Sequence, residues 1–377
     1  MLGPAAIGAW SGGRYLHFGE PIEEQRLAGL LRPDRDLHTV LTADVYGQGE
    51  GDALVGRALA GLPRESFSLV GAIGHDFVDG EREGPRGFPR FTDPRLRGPE
   101  GYRDYVRAAV ERSLDRCGVS SFDVLLLHNP DRRGFESPEV WEALRELRDE
   151  GLAGALGLAP GPANGFVLDL IGCLERFGEL IDWAMVILGP LEPWPGELVL
   201  GACADHDVSV ITRVVDYGGL FWDDVLPGHV LDQGDHRAFR PDGWIEAGRE
   251  KLELMRPLAE RHGLTPMQLA CQWNLGHGPV TCVVPTLIQE SGPGARAIED
   301  KRAELAGLPS QAGLSETEVD ELRTIGDNTG SMSLKGASPD HEGDERPDRW
   351  TLGAEHEALA QRHGIHPDTD LSKLVAD

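Results

Sequence analysis

The stretch Phe122-Asp123-Val124-Leu125-Leu126-Leu127-His128 decides the fold. Within it, Asp123–Leu127 reads as a continuous apolar strand, without the polar alternation of a strand that shows one face to water. Strands of that kind sit in parallel sheets with helices on the outside. The flanking sequence supplies the helices. Upstream, Tyr102–Arg116 carries Val106, Ala109, Val110 and Leu114 at three-to-four spacing. Downstream, Ser137-Pro138-Glu139 places an N-cap, a proline at the first helical position and an acid in the first turn. That helix turns Val140, Leu144 and Leu147 inward and stops at Gly151.

The same alternation extends in both directions. Strands are expected at Ala5–Ala9, Thr39–Ala43, Ser66–Ile73, Ala155–Ala159, Trp183–Leu188, Val208–Thr212 and Val280–Pro285. Helical patterns begin near Pro21, cover Asp52–Ala60, and start at the capping box Thr265-Pro266-Met267-Gln268, with Leu269 and Trp273 inward. About eight strand–helix units result, which fits an α/β (β/α)8 TIM barrel, a fold that takes roughly 200 to 400 residues. An open dinucleotide-binding sheet fits less well. No Gly-x-Gly-x-x-Gly follows the first strand, and Gly47-Gln48-Gly49-Glu50-Gly51 comes after the second with the wrong spacing. Residues 1–329 are assigned to the barrel. A second capping box with a Leu314–Val319 staple begins its last helix, which runs to about Ile325. Residues 330–377 form a polar, partly helical C-terminal appendage of low core content, with a helical piece at Ala354–His363. Two long loops interrupt the barrel, His75–Gly101 after strand 3 and Val214–Gly243 after strand 7. Both are expected to overhang the mouth.

Net charge is −27, from 63 acidic and 36 basic residues, which argues against nucleic acid and anionic membrane surfaces as partners. The 40% apolar share is ordinary for a globular chain. Five scattered cysteines make a disulfide framework or a zinc site unexpected. No segment approaches the ~20 apolar residues of a membrane span, and the start lacks the pattern of a signal peptide. A cytoplasmic protein acting on a small molecule is the expectation. Oligomerisation, homo-oligomers included, stays open.

In a barrel, chemistry gathers where strands end. Tyr46 in Thr42-Ala43-Asp44-Val45-Tyr46-Gly47 and His128 both stand there. Either could be merely structural, but a tyrosine beside a glycine after a barrel strand favours function, and histidine titrates near neutral pH. Asp44 could orient Tyr46, although a structural role fits it as well. His75 and Asp76 read foremost as solvated loop residues that could also approach the site. Trp10, Trp222 and Asn129 are candidate substrate contacts. Trp194, Phe221 and Trp244 could add aromatic walls.

These motifs resemble the aldo-keto reductase superfamily. Gly8-Ala9-Trp10, Phe18-Gly19, Thr42–Gly47, Gly51–Leu59, Ser113–Gly118, Phe122–His128, Gly154–Gly157, Leu264–Trp273 and Val283–Pro285 carry the resemblance, in order, over about residues 5–325. It implies reduction of aldehydes and ketones with NADP(H). Tyr46 matches the family's proton-donating tyrosine and His128 its histidine. A lysine held by an aspartate normally lowers the tyrosine pKa from ~10. Here Leu41 stands in the aspartate's place and Ala72 in the lysine's, so this is a divergent member. Losing both is coherent, because an aspartate left without its lysine would be an unpaired buried charge. On the cofactor side the resemblance sets Arg213 against the nicotinamide. It brings Thr286, Arg296, Lys301 and Arg302 to the adenosine phosphate, which Asp300 would repel. Ala159-Pro160 replaces a Ser-Asn pair, and Val186 or a neighbour replaces a glutamine. The leading expectation is therefore an NADP-dependent reductase-type enzyme. The alternatives are a redox-neutral lyase, dehydratase or isomerase using Tyr46 and His128 as an acid/base pair, and a non-catalytic binding barrel.

Overall fold

The computed structural model describes residues 1–84, 87–161, 166–292, 294–309, 313–331 and 350–371. Eight strands lie parallel in sequence order: β1 Ala6–Gly8, β2 Thr39–Ala43, β3 Ser68–Ile73, β4 Phe122–His128, β5 Ala153–Ala159, β6 Trp183–Ile187, β7 Ser209–Arg213 and β8 Val280–Val284. The ends of the sheet meet through a parallel Ala5–Val283 bridge, in which Val283 N–H donates to the Pro4 carbonyl at 3.0 Å. The (β/α)8 barrel is thus nearly closed, and the strands lie within a residue or two of the expected positions. The first helix, α1 (Glu24–Leu31), starts three residues later than Pro21 suggests.

Between the strands run α2 (Glu50–Leu59), α3 (Tyr102–Cys117), α4 (Arg132–Glu136), α5 (Pro138–Asp149), α6 (Phe166–Phe177), α7 (Leu200–Asp205), α8 (Trp244–Arg261) and α9 (Pro266–Leu275). After β8 follow α10 (Ile298–Ala306) and α11 (Glu316–Gly326). Both expected capping boxes form, at Thr265 and Ser315. At Ser137 the hydroxyl turns instead to Glu139 Oε2, at 2.6 Å.

Strand alternation sorts side chains into two cores. The outer one lies between sheet and helices. The inner one fills the barrel with Ala6, Leu41, Ala43, Val70, Ala72, Val124, Leu126, Ala159, Met185, Ile211, Cys282 and Val284.

The appendage is less peripheral than its composition suggests. The stretch 332–349 lies outside the described residues. Beyond it, Trp350 packs against Phe135 and Phe166, and its Nε1 donates to Asp169 Oδ1 at 3.0 Å. Helix α12 (Ala354–Arg362) lies along α6: His356 meets Asp169 at 2.9 Å, Arg176 meets Glu355 at 2.8 Å and Arg362 meets Glu175 at 2.6 Å. Buried Leu359, Ala360, Ile365 and Leu371 complete the seam. The tail therefore lies on the outer wall beside α6.

The hydrogen bond to Asp169 holds the His356 pKa above its usual value. A raised histidine pKa stabilises fully below the unfolded value of about 6.5, and that contribution fades as pH rises through the folded value. Hydrogen exchange along α12 should accelerate as pH rises above neutrality, after correction for intrinsic exchange. Asp169→Asn should abolish that dependence.

Candidate active site

The mouth is built where β2, β3, β4 and β7 end. Leu41 and Ala43 of β2 face the lumen; Thr42, between them, faces the helices and donates to Asp52 Oδ1 at 2.7 Å. Register sets Ala43 beside Ala72, and Ala72 beside Leu126. Leu41 is 2% exposed and Ala72 5%. Tyr46 packs on this inner cluster, so the floor under the phenol is hydrocarbon where the resemblance leads one to expect an ion pair.

Tyr46 and His128 stand edge to face with ring centroids 6.1 Å apart, and Trp10 approaches Tyr46 from the other side at 6.2 Å. Trp10 is held by its Nε1, which donates to Thr286 Oγ1 at 3.3 Å. Burial pushes the Tyr46 pKa up to about 12, although the charge of Arg213 pulls against it. Burial, with help from Arg90 and Arg213, pushes His128 down to about 3. At neutral pH the pair is thus a phenol and a neutral imidazole. His128 Nδ1 is buried without a hydrogen-bond partner.

His75 is buried beside His128, contrary to the solvated-loop expectation. It is 7% exposed, and its ring lies 5.3 Å from that of His128. Gly74 permits this: a Cβ there would fall 2.0 Å from the His128 carbonyl oxygen, so only glycine lets the ends of β3 and β4 come so close. The His75 Nδ1 lies 3.0 Å from the Phe88 carbonyl, and Nε2 lies 3.1 Å from Asn129 Nδ2. Nδ1 also faces Arg90 Nη1 at 3.1 Å, so the ring sits between a carbonyl and a guanidinium on one side and the Asn129 amide on the other. Burial and the neighbouring Arg90 keep its pKa well below the usual value. Arg90 also donates from Nε to the Asn129 carbonyl, tying the loop after β3 to the end of β4. Asn129 holds φ at 48° and reaches the mouth through His75.

Other candidates are engaged elsewhere. Asp76 is fully buried, paired with Arg97 and accepting from the Val78 and Asp79 N–H groups at 2.9 Å. It braces the loop internally, while Tyr105 of α3 donates to the His75 carbonyl at 2.9 Å. Asp44 alternates outward from Ala43 and lies 2% exposed, with Oδ1 unpartnered. Burial, reinforced by Asp52, holds its pKa well above the carboxylate range. Trp222 is fully buried in the outer core and donates to the Thr286 carbonyl at 2.8 Å. Phe221, Trp194 and Trp244 are buried too; Trp10, itself 7% exposed, is the one of the four whose ring stands beside Tyr46 among the described residues.

The loop after β7 is fastened over the β1 and β8 ends. Asp235 accepts from Gly19 N–H at 2.9 Å, and Arg237 bridges Asp235 at 2.8 Å and Glu290 at 2.5 Å, all buried. Nearby, Arg240 pairs with Glu192 at 3.2 Å and lies over the Tyr217 ring.

The basic residues after β8 have internal partners. Lys301 is fully buried against Asp224 at 2.6 Å and the Ile288 carbonyl at 2.6 Å. Arg296 donates to the Trp222 carbonyl at 2.9 Å and to Glu304 at 2.5 Å. Arg302 serves Asp34 at 2.6 Å and the Leu30 and Arg32 carbonyls. The Asp216 carboxylate takes the N–H groups of Gly219 at 2.9 Å and Thr286 at 2.8 Å. These residues, as they stand, do not fit a nucleotide phosphate: the cations are spent, and a carboxylate occupies the backbone donors.

Residues 33–291 match the sequence model of the Aldo/keto reductase family. "Probable aldo-keto reductase 1" of Glycine max is 24% identical over 302 residues, which cover 75% of this chain and 79% of that protein. Among solved structures, the glycerol dehydrogenase of Gluconobacter oxydans is 23% identical with a TM-score of 0.63, covering 86% of this chain and 91% of the other. The holo form of an aldo-keto reductase from Bacillus halodurans gives 22% and 0.58 at the same coverage. An aldo-keto reductase from Klebsiella pneumoniae in complex with NADPH gives 20% and 0.53, again over 86% and 91%.

Ala72→Lys alone should destabilise the protein by about 3 to 5 kcal/mol, as an uncompensated buried charge does. Adding Leu41→Asp should restore part of that loss, so the double variant should be more stable than Ala72→Lys. A denaturation cycle checks it; additive losses would show that the two positions do not meet. Acid should also weaken the fold. His75 and His128 stay neutral when folded but take protons near pH ~6.5 when unfolded, so stability falls as pH drops below that value. Thermal melts from pH 7 to 4 should show a shallower slope for His128→Gln.

Proposed function

Because the chain belongs to the aldo/keto reductase family of oxidoreductases, we propose that its site works on the carbonyl or hydroxyl group of a small polar molecule. Tyr46 is the proton donor and His128 the assisting hydrogen-bond donor. The observation that carries this reading is the pairing of two neutral polar side chains over an uncharged floor. A protonated phenol and an imidazole N–H can both donate to one carbonyl oxygen, and both strengthen as negative charge builds there.

The pKa directions also bear on the form in which Tyr46 acts. A phenol near 12 is protonated throughout the physiological range, which suits giving a proton to a carbonyl. The reverse, taking a proton from an alcohol, needs a phenolate, and the cation that would stabilise one is absent at Ala72. The same values speak against the redox-neutral reading. An imidazole near 3 and a phenol near 12 are poorly matched to acid/base exchange at neutral pH.

NADPH, with which the Klebsiella pneumoniae protein was solved, is the first reductant to test. Since Arg296, Lys301 and Arg302 are committed to internal partners, binding should discriminate little between NADPH and NADH. A fluorescence titration checks this. If neither nucleotide binds at concentrations of about 1 mM, at the top of the usual KM range, the oxidoreductase reading fails. Tyr46→Phe should lower turnover by about 10²- to 10⁴-fold, the common worth of a positioned proton donor. Between pH ~5 and ~9 the rate should show no ionisation of either Tyr46 or His128.

A further inference from the structure

The chain that leaves β3 runs outward and returns, and its two limbs are joined at a neck. His75 and Arg90 pair there as an antiparallel bridge. Phe91 N–H donates to the Gly74 carbonyl at 3.0 Å, and Asp76 N–H to the Pro89 carbonyl at 2.8 Å. The neck sits where β3 and β4 end, against His128.

The ring of His128 makes no hydrogen bond among the described residues, and its Nδ1 is buried without a partner. The second side-chain torsion of a histidine has a broad profile, so packing must choose the angle of such a ring. Two rings bracket it. Tyr46 stands at 6.1 Å with an interplanar angle of 78°, and His75 at 5.3 Å with 71°. His75 is itself fixed through both of its nitrogens. Nδ1 lies 3.0 Å from the Phe88 carbonyl and 3.1 Å from Arg90 Nη1, and Nε2 lies 3.1 Å from Asn129 Nδ2. Arg90 donates in turn from Nε to the carbonyl of Asn129, the residue that follows His128. One guanidinium therefore ties the bracketing ring to the end of β4, which a planar fork of donors can do and a single ammonium cannot. Arg90 is only partly buried, so its removal opens no hole in the core. Its charge, with that of Arg213, also helps to keep His128 neutral, while the other groups beside the ring, Tyr46 and His75, are uncharged.

We propose that Arg90 is a positioning residue of this site: by gripping His75 and the Asn129 carbonyl together, it sets the angle at which the His128 ring stands to Tyr46. The pair is then organised from the rim, by the loop after β3, since Leu41 and Ala72 put no charge beneath it. This role rests on the part given above to His128 and adds what holds that ring in place.

The test is NMR of the full chain with its histidine and tyrosine rings isotopically labelled, and it needs no ligand. The His128 signals are identified by their loss in His128→Gln. Wild type should give one set of His128 ring signals, with nuclear Overhauser contacts to the Tyr46 and His75 rings. In Arg90→Gln the contact to Tyr46 should be lost and the His128 signals should split or broaden. Arg90→Lys keeps the charge without the fork and should also lose the contact; it carries the test if Arg90→Gln does not fold. Arg95→Gln is the control. It removes an exposed arginine of the same loop, paired with Asp93 and Glu83, and should leave every His128 contact in place. Hydrogen exchange over residues 75–84 reads the loop itself. Faster exchange there in Arg90→Gln, with the His128–Tyr46 contact intact, would overturn the proposal, because Arg90 would then hold the loop and nothing more. So would a lost contact in Arg95→Gln, or an intact one in Arg90→Lys. These signals are independent of the nucleotide titration above. If neither nucleotide binds, the reductase reading falls, and the grip on His128 is still decided by the ring contacts.

Discussion

Tyr46 rests on hydrocarbon, and the rest of the site follows from that contact. Leu41, Ala43, Val70, Ala72, Val124 and Leu126 fill the lumen beneath it without one ionised group. A dry floor works in two directions. It suppresses charge on whatever titrates above it, which lifts the phenol and lowers the imidazole. It also lengthens the reach of any charge that persists, because little solvent lies below to screen it. Arg213 is such a charge, and its influence at this mouth is greater than the same side chain would have on the surface.

The paired absence at Leu41 and Ala72 has a simple energetic logic. One without the other would leave a buried ion alone, at a cost of about 3 to 5 kcal/mol, while two apolar side chains of the same inner cluster cost nothing comparable. Burial of a leucine is itself worth roughly 1.5 to 3 kcal/mol.

What could be read from the chain alone depended on how local the physics was. Strands buried on both faces declare themselves by continuous apolar runs, and the capping boxes at Thr265 and Ser315 are complete within four residues. Strand alternation along β2 and β3 sufficed to put Leu41 and Ala72 in the inner cluster on which Tyr46 packs. What escaped notice depended on partners far away in sequence. His75 is drawn into the site by Gly74 against the His128 carbonyl and by Asn129. Lys301 looks like a free cation until Asp224 appears beside it, and Trp222 looks like a binding surface until its burial is seen. Trp350 and Asp169, 181 residues apart, turn a polar tail into a docked one. The composition of 330–377 carries no trace of that contact.

The clasp over the mouth has a consequence for time rather than for affinity. Asp235, Arg237 and Glu290 meet fully buried, and Asp235 also holds Gly19 beyond the end of β1. A molecule sealed beneath that loop could leave only when several charge-assisted bonds opened together, which is rarer than the loss of any one of them. Exchange with solvent would then be slow even for a ligand that is weakly held. The catalytic cycle would be paced by the roof of the barrel as much as by the residues on its floor.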